Sequence, residues 1–177
     1  MKLHESLPVI DEILGRWSET IGRDLGGYRN HVYRMVNFTF AIGEFDDEAR
    51  RKIEIAGCFH DIGIWPERTL NYLEPSAKRA ESYLAKNGIA DWQPQIRQLI
   101  CQHHKLRSFQ SDRLVEAFRK GDLVDFSLGI FKCGLPRSFV SEVRSAFPNQ
   151  GFHKCLAGIA ANWIIRHPLD PVPVIRY

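Results

Sequence analysis

Apolar residues recur along this chain at intervals of three and four, and almost nowhere do they alternate, which predicts helices and no strands. Ile10, Ile13, Leu14, Trp17 and Ile21 form the first stripe, behind a Ser6 cap and Pro8 in the opening turn, and Gly26-Gly27 should break it. A second helix is expected from Tyr28 or Asn30 to about Ile42, where Val32, Met35, Val36 and the run Phe38 to Phe40 give a strongly apolar surface. Asp46 or Asp47 caps a third, carrying Ala49, Ile53, Ala56 and His60, with Gly63 as a left-handed stop and Pro66 beyond it. The run 67–73 is ambiguous. Ser76 is expected to cap a helix through Ala80, Tyr83 and Leu84 to Gly88, and Asp91 the next, whose stripe is Ile96, Leu99, Ile100, His103 and His104. Asp112 starts a helix containing Leu114, Val115, Phe118, Asp122, Asp125 and Phe126. Pro136 opens another with Phe139, Val140 and Val143, and the last runs from about Phe152 through Leu156, Ile159 and Trp163 to the residue before His167-Pro168. The proline-rich stretch 168–177 is expected to be irregular. There is no internal repeat or low-complexity linker. The expected fold class is all-α, a single compact helical bundle over residues 1–177.

Composition adds little and contradicts nothing. A chain of 177 residues with 44% hydrophobic and 25% charged residues suits one ordinary globular domain. The net charge of +3 implies no nucleic-acid partner, yet would not hinder a phosphorylated substrate. Cys58, Cys101, Cys133 and Cys155 lack any Cys-x-x-Cys spacing and read as reduced thiols, neither a zinc knuckle nor a disulfide frame. Met1 to Glu5 lacks the apolar run of a signal peptide, and the stretch from Cys155 to Ile165 is far shorter than the roughly 20 residues of a membrane span. A cytoplasmic protein with no membrane partner is expected.

The informative positions are polar residues where apolar ones belong. His60 lies three residues after Gly57 and seven after Ile53, on the apolar stripe, and Asp61 follows it at the helix end. Asp122 stands four residues from both Phe118 and Phe126, inside its stripe, and His31 opens the second helix one turn before Met35. Ionisable groups do not sit on buried faces without partners. If those faces share one core, His31, His60, Asp61 and Asp122 offer two imidazoles and two carboxylates to one divalent cation: Mn, Fe, Co, Ni, Zn or Mg. Four protein ligands leave room on an octahedral ion for water and substrate.

Three segments, Tyr28 to Met35, Cys58-Phe59-His60-Asp61-Ile62-Gly63 and Lys120-Gly121-Asp122-Leu123-Val124-Asp125, resemble the successive motifs of the HD-domain superfamily of metal-dependent phosphohydrolases. The resemblance spans roughly 28–128, on which the helices of 136–166 would pack. It implies His31, His60, Asp61 and Asp122 as metal ligands, and hydrolysis of a phosphomonoester, phosphodiester or nucleotide by a metal-activated water. Matching Gly121-Asp122 to the family's small residue before aspartate favours Asp122 over Asp125 as ligand and leaves Asp125 as a nearby acceptor. The chain departs from multi-metal relatives in having no histidine in 71–77, where Tyr72 or Glu74 stands, and from others in Ile64-Trp65-Pro66 after His-Asp-Ile-Gly. A mononuclear site is therefore expected.

On this reading Asp61 orients the water or takes its proton. Arg34 and Lys105 are the cations nearest the motifs and the candidates to meet a phosphoryl group. His103 and His104 either reach the substrate or are core histidines bonded to backbone carbonyls, and Lys105 and Arg107 either reach it or form a solvated helix end. Trp65, Phe109 and Phe131 are either the lining of a base pocket or packing, and His153 and His167 read as structural. Two other readings keep the fold: a hydratase or oxygenase-type metalloenzyme, which would need further histidine ligands, and a non-catalytic nucleotide-binding sensor.

Overall fold

Two of the predicted caps form as the sequence indicates. The Asp46 carboxylate accepts from Ala49 N at 2.8 Å, and Asp112 accepts from the amides of Leu114 and Val115. The computed structural model describes residues 1–105, 107–170 and 173, so 171–172 and 174–177 of the tail expected to be irregular lie outside the described residues. The elements are α1 (Pro8–Arg16), α2 (Ser18–Ile21), α3 (Leu25–Ile42), α4 (Asp47–Phe59), α5 (Ile64–Glu67), α6 (Leu73–Lys86), α7 (Gln93–Gln102), α8 (Arg113–Phe126), α9 (Arg137–Ala146) and α10 (Phe152–Arg166). Among the described residues there is no strand, and the fold is an all-α bundle.

Helix α3 is its axis. From Gly27 to Phe40 nearly every side chain is buried, so this helix is covered on all sides. Its most extensive partner is α8, with α4, α1 and α9 completing the sheath. Gly121 makes the α3–α8 approach tight, because a Cβ there would lie 2.7 Å from Met35 O and 2.9 Å from Thr39 N. One apolar cluster runs from Leu7 to Phe152, and a smaller one joins Ile64, Leu70, Tyr72 and Leu73 to the inner face of α10.

Several boundaries differ from the periodicity reading. Leu7, not Ser6, precedes α1, and no side chain caps it. Gly26-Gly27 does not break a helix: α3 runs through both, and the missing side chains admit the Gln150 side chain at Gly26 and the backbone of 149–152 at Gly27. Gly63 is not a left-handed stop. Its φ is −62° and the chain continues into α5, while the absence of a side chain lets Tyr72 O and Ser76 Oγ come close. Ser76 lies inside α6, which begins at Leu73 with Pro75 in its first turn, and its hydroxyl accepts from Gly63 N at 2.9 Å. Asp91 falls in a single 3₁₀ turn and caps nothing. All four cysteines are free thiols, and no described helix is long and apolar enough to cross a membrane.

Candidate metal centre

The motif-bearing helices bring four side chains to one buried point. His31 comes from the second turn of α3, His60 caps the C-terminus of α4 with Asp61 in the turn after it, and Asp122 faces them from α8 across the contact that Gly121 permits. His31 Nε2 lies 3.0 Å from His60 Nε2, 3.6 Å from Asp122 Oδ1 and 3.8 Å from Asp61 Oδ2. His60 Nε2 is 3.3 Å from Asp61 Oδ2 and 3.8 Å from Asp122 Oδ1. Donors about 2.1 Å from one ion stand roughly 3.0 Å apart at right angles and 3.4 Å apart at tetrahedral angles, so the set has the dimensions of a coordination shell.

Proton counting points the same way. His31 Nδ1 gives its hydrogen to Asp125 Oδ2 at 2.7 Å, and His60 Nδ1 gives its hydrogen to Gly57 O at 2.8 Å, an oxygen that can only accept. Both Nε2 atoms then carry lone pairs, and they face each other and two carboxylates. Burial lowers His31 to about pKa 4 in spite of the Asp125 bond, so its ring is neutral near pH 7. The Nε2 atoms of His31 and His60 thus face each other and the Asp61 and Asp122 carboxylates, a buried donor set that a divalent cation would satisfy. The carboxylates differ. Burial, followed by the charges of Asp61 and Asp125, pushes Asp122 up to about 7. Against burial, His60 and His103 hold Asp61 well below the usual range.

Behind the ring lies an ion pair with no solvent access. Asp125, fully buried, takes His31 Nδ1–H and also both Nε and Nη2 of Arg34, the latter at 2.9 Å. Burial would raise this carboxyl, but the His31 hydrogen bond and the Arg34 guanidinium hold it at about 2. Arg34 Nη1 donates to Phe147 O at 2.9 Å and Asn30 Nδ2 to Pro148 O at 2.8 Å, while the Phe152 ring stacks on His31 at 4.2 Å. The link between α9 and α10 thus grips the back of the site.

This corrects the expectation for Arg34. Its guanidinium is buried on Asp125, Phe147 O and Pro148 O and is not among the residues lining the cavity, so it positions Asp125 and His31 and does not face a substrate space. Asp125 is an acceptor beside the site, as expected. His103 turns out to do two things at once: Nδ1 donates to Ile100 O at 2.6 Å, and Nε2 aims at Asp61 Oδ1, 3.5 Å away. Those two atoms are the buried polar side-chain atoms left without a hydrogen-bond partner among the described residues. His104 Nε2 accepts from the Tyr72 hydroxyl at 2.7 Å, and burial with the Asp61 charge keeps that phenol protonated. Three overlapping triplets, His31/His60/Asp122, His60/Asp61/His103 and His103/His104/Asp122, each place their donor atoms within 4.8 Å of one another.

The ring floors a cavity of about 440 Å³. Lys105 and Arg119 line it among the cations, and its apolar wall is Leu70, Leu123, Phe126, Leu156, Ala157 and Ala160. Arg119, absent from the sequence reading, forks onto Glu116 with two contacts of 2.8 Å. Its signal was the Glu116–Arg119 spacing of one turn, which by itself reads as an ordinary helix pair. His153 also reaches the cavity, with Nε2 at 3.2 Å from the carbonyls of both Asp125 and Phe126. Trp65 does not line it, packing on Tyr28 at 4.5 Å, and Phe109 lies under Lys105, while Arg107 and Phe131 are exposed. Helix α10 was legible as a helix but not as a wall of this cavity. No family model matches the chain and neither a curated protein nor a solved structure matches it, so the chemistry of this centre has to be read from its own atoms.

Proposed function

We propose that the protein is a metal-dependent hydrolase of phosphate esters, of the HD-domain type that its motifs resemble. The observation that carries this reading is the pair of inward-facing Nε2 lone pairs of His31 and His60 set against two buried carboxylates, in a cavity that Lys105 also lines. His31, His60, Asp61 and Asp122 would hold a divalent cation. Such an ion, when bound, lowers the pKa of water from 15.7 toward about 7 and polarises a phosphoryl oxygen. The protein's own groups do the rest. Asp61, whose Oδ1 has no hydrogen-bond partner among the described residues, would orient the attacking water and take its proton. The water oxygen bonds to phosphorus, the ester P–O bond breaks, and the leaving alkoxide takes up the proton that Asp61 received, giving the alcohol and inorganic phosphate. Lys105 meets the charge on the phosphoryl oxygens, and Arg34 holds Asp125 so that His31 keeps its Nε2 lone pair inward.

A second cation is favoured by one specific observation. Asp61 Oδ1 and His103 Nε2 are unpartnered and 3.5 Å apart, and with His60 they would hold a further cation. The proposal is tested by metal analysis of the purified chain and turnover of p-nitrophenyl phosphate with added Mn²⁺. Asp61→Ala should lose bound metal and all turnover while keeping its helical circular dichroism, and His103→Ala should bind one fewer ion per chain. Turnover retained by Asp61→Ala refutes the hydrolase reading, and unchanged stoichiometry in His103→Ala refutes the second ion.

A further inference from the structure

The polar floor of the cavity is the reaction site, but most of its wall is not polar. Leu123 and Phe126 of α8, Leu70 from the α5–α6 connection, and Leu156, Ala157 and Ala160 of α10 supply its apolar lining, with Phe126 and Ala157 at the solvent side. The polar groups beyond the floor are already engaged. Both ring nitrogens of His153 are taken, by Asn149 and by the carbonyls of Asp125 and Phe126. Arg119 is spent on Glu116 and on Lys105 O at 3.3 Å, and the Tyr72 hydroxyl on His104. Lys105 Nζ lies over the Phe109 ring at 5.3 Å, with no carboxylate in ion-pair range among the described residues. No Asn, Gln, Ser or Thr is among the described residues lining the space.

We infer that the substrate is the phosphate monoester of an apolar, aliphatic alcohol, with its phosphate toward Lys105 and its chain along α10. This rests on the hydrolase reading and names its substrate class. A nucleotide or sugar phosphate would bring hydroxyls and base edges against Leu123, Leu156 and Ala160, and each buried donor or acceptor left unpaired there costs about 1–3 kcal/mol, or roughly 5- to 150-fold in binding. A methylene against the same wall gains affinity instead, about fourfold each. Ala157 and Ala160 set the room available, because their small side chains leave the space that the chain would occupy.

The experiment uses the full chain loaded with Mn²⁺ and two parallel series. Hydrolysis is followed on n-alkyl phosphates from ethyl to octyl, beside adenosine 5′-monophosphate and glycerol 3-phosphate. Binding is followed on the matching n-alkylphosphonates, which cannot be hydrolysed at the P–C bond. The expected result is kcat/KM and phosphonate affinity rising about two- to fourfold per methylene until the cavity is full. Ala160→Phe should lower the hexyl-to-ethyl ratio at least tenfold. A flat series, or a nucleotide turned over more efficiently than hexyl phosphate, overturns the inference. Rising phosphonate affinity with no turnover of any phosphate, p-nitrophenyl phosphate included, supports the apolar pocket and overturns the hydrolase reading alone. If Ala160→Phe does not fold, the two series on the native chain decide.

Discussion

Replacing Asp125 by Asn separates what the buried ion pair does for the fold from what it does for the metal centre. The carboxylate is fully buried and receives three hydrogens, one from His31 Nδ1 and two from Arg34. Asn keeps the shape but removes the charge, and one of its two termini becomes a donor facing donors. Arg34, itself 2% exposed, would then hold a buried cation with no anion beside it, left to neutral oxygens such as the Phe147 and Pro148 carbonyls. Breaking one side of such a pair costs roughly 3–5 kcal/mol. For a chain of 177 residues each kcal/mol moves Tm by about 2–4 °C, so the melt should fall by roughly 6–20 °C. His31 meanwhile loses the anion that fixes its tautomer, and metal affinity should drop about 10- to 100-fold. Adding Arg34→Met removes the stranded cation. The double variant should recover most of the Tm and none of the affinity. Thermal melts of the metal-free chains and Mn²⁺ titrations by calorimetry read the two effects separately. Native metal affinity in Asp125→Asn, or its return in the double variant, refutes the positioning role assigned to this carboxylate.

Gly121→Ala tests the approach of α8 to α3. Its methyl would press on the backbone atoms Met35 O and Thr39 N, so a loss of about 1–3 kcal/mol is expected in a urea titration, and a change within about 0.5 kcal/mol would refute the close approach. Metal binding should also depend on pH through Asp122. Because its pKa stands at about 7, the ion must displace its proton below that pH, so affinity should climb by up to about tenfold per unit to pH 7 and level off above it. Calorimetry in buffers of different ionisation enthalpy should find about one proton released at pH 6 and far less at pH 8; equal release at both would exclude a raised Asp122. In the metal-free chain two signs oppose. His31, lowered to about 4, contributes stability that is complete above pH 6.5 and lost as pH falls toward 4, whereas the raised Asp122 contributes stability that is present at low pH and lost on rising through 7.

The candidate positions were legible because His60 and Asp122 are ionisable residues in apolar stripes, with Asp61 next to one and His31 a turn before Met35, and burial of such groups demands a partner. His31, His60, Asp61 and Asp122 are indeed gathered at one point, although what they do there is a matter of proposal. Arg34 was misread for an instructive reason. Its spacing from His31 correctly places both on one helix, but its partner Asp125 lies 91 residues away, and no local pattern shows which of two directions a long side chain takes. Gly63 and Gly26-Gly27 misled similarly, since glycine serves close approach as readily as a turn, and only the neighbouring backbone distinguishes the uses. The wall that α10 supplies left no local trace, because its alanines matter for the room they leave.

The seam at Phe147 to Phe152 has a consequence for how the chain can be divided. Its carbonyls hold Arg34 and Asn30, and its closing aromatic ring lies flat on His31, so this buried imidazole is braced by residues more than a hundred positions downstream. A fragment ending before this seam would keep His31, His60, Asp61 and Asp122 in its sequence and lose the brace that orients one of them. The buried His/Asp cluster therefore belongs to the whole bundle, and the last two helices are its buttress as much as its cover.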